Sequence, residues 1–219
     1  MEGSAEGTGS PEFSREFRKG FETLLKWRRD VRRFKTDAVP QDTLGHILDL
    51  ADLAPSVGNS QPWRIVSVES NASRAQVISC FEEENAAAAK AYDTEKAIHY
   101  RDLKLAGLRE APVHLAIFCD MDPEQGHGLG RATMPETLAY SVVSMIHTFW
   151  LAARAEGVGM GWVSILDPVK VENILEVDDS WQLVAYLCVG YPEEEHIDPE
   201  LERVRWQSRS PMETRLFRR

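Results

Sequence analysis

Four arginines and one aspartate lie within six residues near the start of the sequence: Arg28, Arg29, Asp30, Arg32 and Arg33. Guanidinium groups this close repel one another unless an anion lies among them, and arginine suits bidentate phosphate binding. Salt bridges to the protein's own carboxylates, or a solvated basic surface, would explain the same charges. Asp30, kept ionised by its cationic neighbours, could act as a general base or serve only as an internal counter-ion. The spacing leaves these alternatives open.

A turn-rich loop between residues 56 and 63 offers a second set of hydrogen-bonding groups, namely Ser56, Asn59, Ser60 and Gln61, with Gly58 among them. Such side chains suit recognition of a polar heteroaromatic edge or a polyol. An ordinary connection between a helix and a strand has the same composition. We therefore keep both interpretations of this loop.

Two glycine clusters and three isolated polar residues complete the candidates. Three glycines at alternate positions in 157–161 would let the backbone approach a flat ligand. These glycines follow a predicted helix, and neither they nor the glycines of 126–130 match the dinucleotide-binding fingerprint. His127 and His147 have no partner at metal-ligand spacing, and Ser164 lies in no nucleophile elbow. The sequence thus predicts neither a metal site nor acyl transfer.

Hydrophobic periodicity predicts that these residues are positioned by helices surrounding a short sheet, an α+β fold with one core spanning residues 14–219. Residues 1–13 are expected to be disordered, and 9–13 have the composition of a cloning remnant. We expect Met145, Phe149 and Trp150 in the core. The predicted helices begin at Ser14, after Pro40, near Ser73, at Pro135 and after Pro168, and the predicted strands cover 64–69, 113–119, 163–165 and 181–189.

The overall charge narrows the class of partner. The 219 residues include 25 Lys and Arg against 35 Asp and Glu, a net charge of −10, which argues against nucleic-acid binding.

Cys80, Cys119 and Cys188 are dispersed, which indicates buried thiols in a reducing compartment. With no signal peptide and no apolar run of membrane-spanning length, we expect a cytoplasmic protein.

Three motifs in order, Arg28-x-Asp30-x-Arg32, Pro55 to Trp63 and Gly159 to Trp162, resemble those of the nitroreductase-like flavoproteins. This resemblance implies a homodimer with a central mixed or antiparallel sheet surrounded by helices, FMN at the dimer interface, and the helix of 135–156 as the central dimer helix. It also implies that the first arginines and a C-terminal arginine bind the FMN phosphate. The implied FMN contacts are Arg28, Arg29, Asp30, Val31, Arg32, Ser56, Asn59, Gln61, Leu105, Trp162, Ser164 and Arg209.

Ordinary nitroreductases usually have serine where this chain has Asp30. Asp30, with the segments 100–112, 128–137 and 161–168, resembles the BluB-like branch of that family, whose members use O2 to fragment reduced FMN. The implied products are 5,6-dimethylbenzimidazole and erythrose 4-phosphate, and a separate NAD(P)H-dependent flavin reductase would supply reduced FMN. Our hypothesis is that Asp30 is the general base toward the ribityl chain and that Ser164 donates a hydrogen bond near flavin N5 or the reacting oxygen. The segment 92–108 would act as a lid.

Two other functions fit the same resemblance. An NAD(P)H-dependent nitroreductase or flavin reductase would retain FMN as a cofactor. A flavin-binding or sensory protein would show no turnover. Asp30 and the motif of 131–137 argue against the reductase.

Overall fold

The computed structural model describes residues 10–101, 103 and 105–219. Of the segment expected to be disordered, residues 1–9 lie outside the described residues, and 10–13 are exposed without regular structure. Ser14 caps the first helix by accepting a hydrogen bond from the backbone N–H of Phe17. In chain order the elements are α1 (Arg15–Trp27), α2 (Gln41–Ala51), β1 (Trp63–Ser67), α3 (Asn71–Ala89), α4 (Thr94–Arg101), β2 (Val113–Asp120), α5 (Thr137–Ala155), β3 (Gly159–Val163), α6 (Pro168–Leu175), β4 (Trp181–Gly190) and α7 (Glu200–Arg203).

The four strands form one sheet in the order β1-β2-β4-β3, and each neighbouring pair is antiparallel. Alternate residues of β2 enter opposite layers of the core, because successive side chains of a strand point to opposite faces. Ile117 packs in the layer that contains α2 and α5, whereas Phe118 packs in the layer that contains α3 and α6. The sheet is therefore buried between two helical layers, and the predicted α+β class is confirmed.

Three boundaries differ from the sequence prediction. The strand predicted at 163–165 begins and ends earlier, because Gly159 and Gly161 lie inside strand β3. Pro135 lies two residues before α5 instead of opening its first turn. The helical region predicted to begin near Ser73 comprises two helices, α3 and α4, and the residues described between Arg101 and β2 are not helical.

The three cysteines are buried and form no disulfide, as the sequence predicted. Burial raises the pKa of the Cys119 thiol to about 11 and that of the Cys188 thiol to about 12, which keeps both protonated. Among the described residues, no helix is long and apolar enough to cross a membrane. The same part of the chain contains no cluster of His, Cys, Asp and Glu side chains suited to a metal ion.

Candidate functional site

The arginine-rich segment leaves the end of α1 and runs along the outer edge of β3. The backbone N–H of Val31 donates to the carbonyl oxygen of Met160 at 3.0 Å, and Asp30 forms an isolated parallel bridge with Met160. A Cβ atom on Gly161 would overlap the carbonyl oxygen of Val31. The glycines of β3 thus admit the chain's own backbone at close range, and their approach to a flat ligand stays a prediction.

The Asp30 carboxylate is held at both oxygens. Its Oδ1 accepts a hydrogen bond from the Trp162 backbone N–H, and its Oδ2 accepts one from Arg32 Nε, each at 2.9 Å. The side chain is nevertheless 31% exposed. Since each carboxylate oxygen has two acceptor sites, Asp30 can accept a further proton or hydrogen bond without releasing these partners. The geometry therefore fits a counter-ion and an accessible base together.

Two of the four arginines are neutralised by the protein's own carboxylates. Arg32 pairs with Asp30, and Arg33 Nη1 lies 2.9 Å from Glu200 and 3.2 Å from Glu194. Contact with Glu200 raises the pKa of Arg33. The salt-bridge interpretation is thus confirmed for Arg32 and Arg33.

Arg28 and Arg29 are bound differently. The Arg28 guanidinium lies 4.4 Å from the ring centroid of Trp150, and Arg29 Nε donates to the carbonyl oxygen of Ile197 at 2.7 Å. Neither forms an ion pair with a carboxylate in the described ranges. Burial lowers the pKa of both arginines, and proximity of Arg209 lowers both further. The Asp30 carboxylate acts in the opposite direction and raises the pKa of Arg28, as Asp198 and Glu202 do for Arg29. Arg28, Arg29 and Arg209 thus lie close together, and their binding of phosphate stays a prediction.

The supporting role of Trp150 was missed from the sequence. Met145 and Phe149 are 1% exposed, as expected of core residues, but Trp150 is only partly buried. Its ring supports Arg28, and its indole N–H donates to the carbonyl oxygen of Arg29 at 3.3 Å. Helical periodicity offered a signal, since position 150 lies outside the stripe of α5 that contains 142, 145, 146, 149 and 153.

The loop of 56–63 is a constrained turn and not an open connection. Ser56 Oγ accepts from the Gln61 backbone N–H at 3.1 Å, while Asn59 and Gln61 adopt positive φ angles of 54° and 44°. A Cβ atom on Gly58 would lie 3.0 Å from each of two carbonyl oxygens of the 126–130 loop. Positive φ is costly for residues other than glycine, and such strain concentrates at functional sites. This geometry favours the binding interpretation.

Within one chain, the turn and the arginine segment lie at different positions along α5. The Val57 backbone N–H donates to Ser141 Oγ near the start of α5, whereas Arg28 contacts Trp150 near its end. These two contact points on α5 are nine positions apart, which is about 13 Å along the helix axis. The structure thus brings Arg28, Arg29, Asp30, Val31, Arg32, Trp162 and Arg209 together, and it does not bring Ser56, Asn59 and Gln61 to them.

Two other predicted residues lie apart from each other: Ser164 near the arginine segment and Leu105 beside α3. Ser164 is exposed, one residue beyond β3 and two residues from Trp162, and forms no hydrogen bond with a described residue. Leu105 lines a cavity of about 210 Å³ between α3 and residues 103–109. These positions assign no role to either side chain, so the FMN contacts of Ser164 and Leu105 stay predictions.

Comparisons with known proteins agree with this fold. The model of the nitroreductase family matches residues 25–191. A 5,6-dimethylbenzimidazole synthase of Rhodospirillum rubrum is 57% identical over 201 residues, covering 92% of this chain and 95% of the relative. The crystal structure of an oxidized iodotyrosine deiodinase bound to FMN and 3-iodo-L-tyrosine has a TM-score of 0.67 and 26% identity, covering 80% of this chain and 91% of the other. A BluB-like flavoprotein from Clostridium difficile 630 has a TM-score of 0.67 at 20% identity, covering 90% and 97%, and shows the shared fold.

Proposed function

The chain belongs to the nitroreductase family, and we propose that it fragments reduced FMN with O2 to form 5,6-dimethylbenzimidazole, the lower ligand of vitamin B12. Its similarity to a 5,6-dimethylbenzimidazole synthase over nearly the full length of both chains supports an oxidoreductase role in supply of that ligand. The more specific part of the proposal is that the substrates are reduced FMN and O2. It depends on the chemistry of the site.

The observation on which the proposal depends is the Asp30 carboxylate within the arginine segment. Two fixed hydrogen bonds orient it, from the Trp162 backbone N–H and from Arg32, and part of it is open to solvent. An enzyme that retains FMN and only passes electrons through the flavin ring needs no base near the phosphate end of the cofactor. Breaking the ribityl chain of FMN does need one, because C–H and O–H protons must leave as carbon bonds break.

The residues present fit FMN. Arg28, Arg29 and Arg209 lie close together, and burial lowers the pKa of Arg28 and of Arg29, so a bound phosphate dianion would stabilise their positive charge. The constrained turn of 56–61 supplies amide and hydroxyl groups of the kind that recognise a heteroaromatic edge. Bound reduced FMN would supply the electrons that O2 takes up and the carbon skeleton of the product.

In this reaction Asp30 accepts a proton from the ribityl chain, while Arg32 and the Trp162 backbone N–H keep its carboxylate oriented. Arg28, Arg29 and Arg209 hold the phosphate and thereby fix the ribityl chain relative to Asp30. Ser164, beyond the end of β3, donates a hydrogen bond toward the flavin ring. No step requires a protein-bound metal.

A homodimer would unite the two separated halves of the site. Apolar side chains remain exposed on α1, with Phe17 and Phe21 53% and 46% exposed, and on α5, with Tyr140 58% exposed. Exposed apolar side chains on these two helices are consistent with a protein interface. In our proposal the turn of 56–61 from one subunit meets the arginine segment of the other, which places α5 at the centre of the dimer.

An NAD(P)H-dependent nitroreductase or flavin reductase is the second candidate, because the family match and the arginine segment fit it equally. Such an enzyme would bind the same phosphate with FMN as a retained cofactor. Asp30 is the feature that separates the two activities.

One experiment separates these functions. The purified protein is mixed with photoreduced FMN and air without NAD(P)H, and the products are separated by chromatography. Formation of 5,6-dimethylbenzimidazole supports the synthase. NADH oxidation with an electron acceptor, without this product, supports the reductase. A stably yellow protein that does neither would be a non-catalytic flavin-binding protein.

A further inference from the structure

Trp206 connects two parts of the molecule that are far apart in the sequence. Its ring centroid lies 5.5 Å from that of Tyr92 and 6.2 Å from that of Tyr100, and the ring also contacts His99 at 5.6 Å. These partners flank or lie on α4, inside the segment expected to act as a lid. Trp206 itself belongs to the chain that follows α7 and leads to Arg209.

Among the described residues, aromatic contacts hold α4 against the rest of the molecule. Tyr100 is 5% exposed and stands 4.9 Å from Tyr92, whereas Ile98 on the same helix is 58% exposed. The Tyr100 hydroxyl donates to Asn85 Oδ1 of α3 at 2.7 Å. Burial raises the pKa of Tyr100, which keeps this donor protonated. The position of α4 therefore depends on the aromatic cluster of Tyr92, His99, Tyr100 and Trp206, which we call the aromatic latch.

The other side of the aromatic latch is fixed to the arginine segment through α7. Glu200 forms ion pairs with Arg33 at 2.9 Å and with Arg32 at 4.0 Å. The next residue, Leu201, accepts a hydrogen bond from the Trp206 backbone N–H at 2.8 Å. An unbroken series of contacts thus runs from the arginine segment through α7 to the ring of Trp206.

Arg209 lies three residues beyond Trp206, and three residues span at most about 10 Å. The Arg209 backbone N–H donates to Glu202 Oε1 at 3.4 Å, which places this residue over α7 as well. An anion that draws Arg209 toward Arg28 and Arg29 must therefore act on the short chain that positions Trp206.

We propose that Trp206 is a positioning residue that couples phosphate binding at Arg209 to the placement of α4 over the site. This inference rests on the proposed function for the identity of the ligand, FMN, but not for the coupling itself. An occupied phosphate site orders the tail, the tail holds Trp206 against Tyr92 and Tyr100, and α4 is then held closed. Access of water to the reacting groups is restricted only when the whole ligand is bound.

The test uses endoproteinase Lys-C on the full chain, because this protease cleaves after Lys90 and Lys96 and spares the arginine-rich tail. In the unsubstituted protein we expect saturating oxidised FMN to slow cleavage after Lys96 by about fivefold, the change expected when one aromatic contact is made persistent. In Trp206→Ala this protection should fall below about twofold, and FMN binding should weaken by about fivefold. Trp206→Phe should restore both, since a smaller ring can occupy the same cluster. Phe217→Ala is the matched control, because Phe217 is a tail aromatic that is 72% exposed.

Arg209→Ala provides a second variant at an exposed position. It should bind FMN more weakly and, when saturated, show less protection after Lys96 than the unsubstituted protein. Full protection in saturated Trp206→Ala or Arg209→Ala would overturn the coupling. If the unsubstituted protein binds no FMN, the proposed function is overturned, and inorganic phosphate then replaces FMN in the same assay. Protection by phosphate would still support the coupling, and its absence would overturn it.

Discussion

Asp30→Asn tests the proposed base directly. The substitution keeps the size of the side chain and removes its charge. Asn Oδ1 can still accept from the Trp162 backbone N–H, but the amide NH2 then faces Arg32 Nε, so two donors meet where an ion pair stood. Since this pair is partly exposed, we expect a loss of about 1–2 kcal/mol in the free energy of unfolding.

That loss leaves the fold intact. For a chain of this length it corresponds to a fall in Tm of about 2–8 °C, well within the stability of an ordinary domain. Binding of oxidised FMN should change by less than about threefold, because Asp30 adds no attraction for phosphate. Formation of 5,6-dimethylbenzimidazole from reduced FMN should fall by about 10²–10⁴-fold, the usual contribution of a positioned base.

The assay measures product by chromatography in single-turnover mixtures, alongside FMN affinity by fluorescence. Asp37→Asn, a substitution of the same kind at an exposed position seven residues away, is the control and should leave both unchanged. A rate for Asp30→Asn within about threefold of the unsubstituted protein would refute the base. Equal losses in affinity and rate would instead make Asp30 a binding residue.

Three further substitutions, with Gly45→Ala as a control, test the site, strand β3 and a buried histidine. Arg28→Ala should weaken FMN binding by about 10–100-fold, the effect of one charge-assisted hydrogen bond, measured by fluorescence titration. Gly161→Ala should lower the free energy of unfolding by about 2–4 kcal/mol because its Cβ has no space, whereas Gly45→Ala, in a helix with open space, should raise it by about 0.5–1 kcal/mol. His114→Gln should reduce the loss of stability in acid: burial lowers the pKa of His114 to about 4, so protonation favours the unfolded chain, and stability is lost as the pH falls from about 6.5 to about 4.

Each of these has a defined contrary result. Equal FMN affinity for Arg28→Ala and for Arg215→Ala, an exposed tail arginine, would remove Arg28 from the phosphate site. Equal melting temperatures for the two glycine variants would show that β3 does not need the close approach of Val31. A difference between the Tm values at pH 7.5 and pH 4.5 that is the same with and without the His114 substitution would contradict its buried neutral state.

The layered core could be predicted from the sequence because its elements are long and apolar. Strand β2 is a continuous apolar run, and α5 is a long segment with apolar residues on nearly every face. Strand β3 could not be delimited, since glycine disfavours strands on local grounds. A Cβ atom on Gly159 or Gly161 would be too close to Val31, which is more than a hundred residues away in the sequence.

The site was predictable where its residues are adjacent in the sequence. The spacing of Arg28 to Arg33 predicted an anion site, which stays a prediction. It could not show that Arg33 is neutralised, because its partner Glu200 is remote in the chain. The roles of Trp150 and Trp206 depend on tertiary contacts in the same way. A cluster of charged residues can thus be recognised in the sequence. Which of its members form ion pairs depends on the fold.

The hydrogen bond between Asp30 and the Trp162 backbone N–H has a consequence for solubility. Strand β3 is the last in the sheet, so its outer N–H and C=O groups would be free to pair with a strand of another molecule. The Val31 backbone and the Asp30 carboxylate occupy these groups at Met160 and Trp162. Replacing Asp30 with an apolar residue would open this edge and promote aggregation. The yield of soluble protein will therefore differ among substitutions at position 30. Product formation by each variant must be divided by its amount of folded protein before the variants are compared.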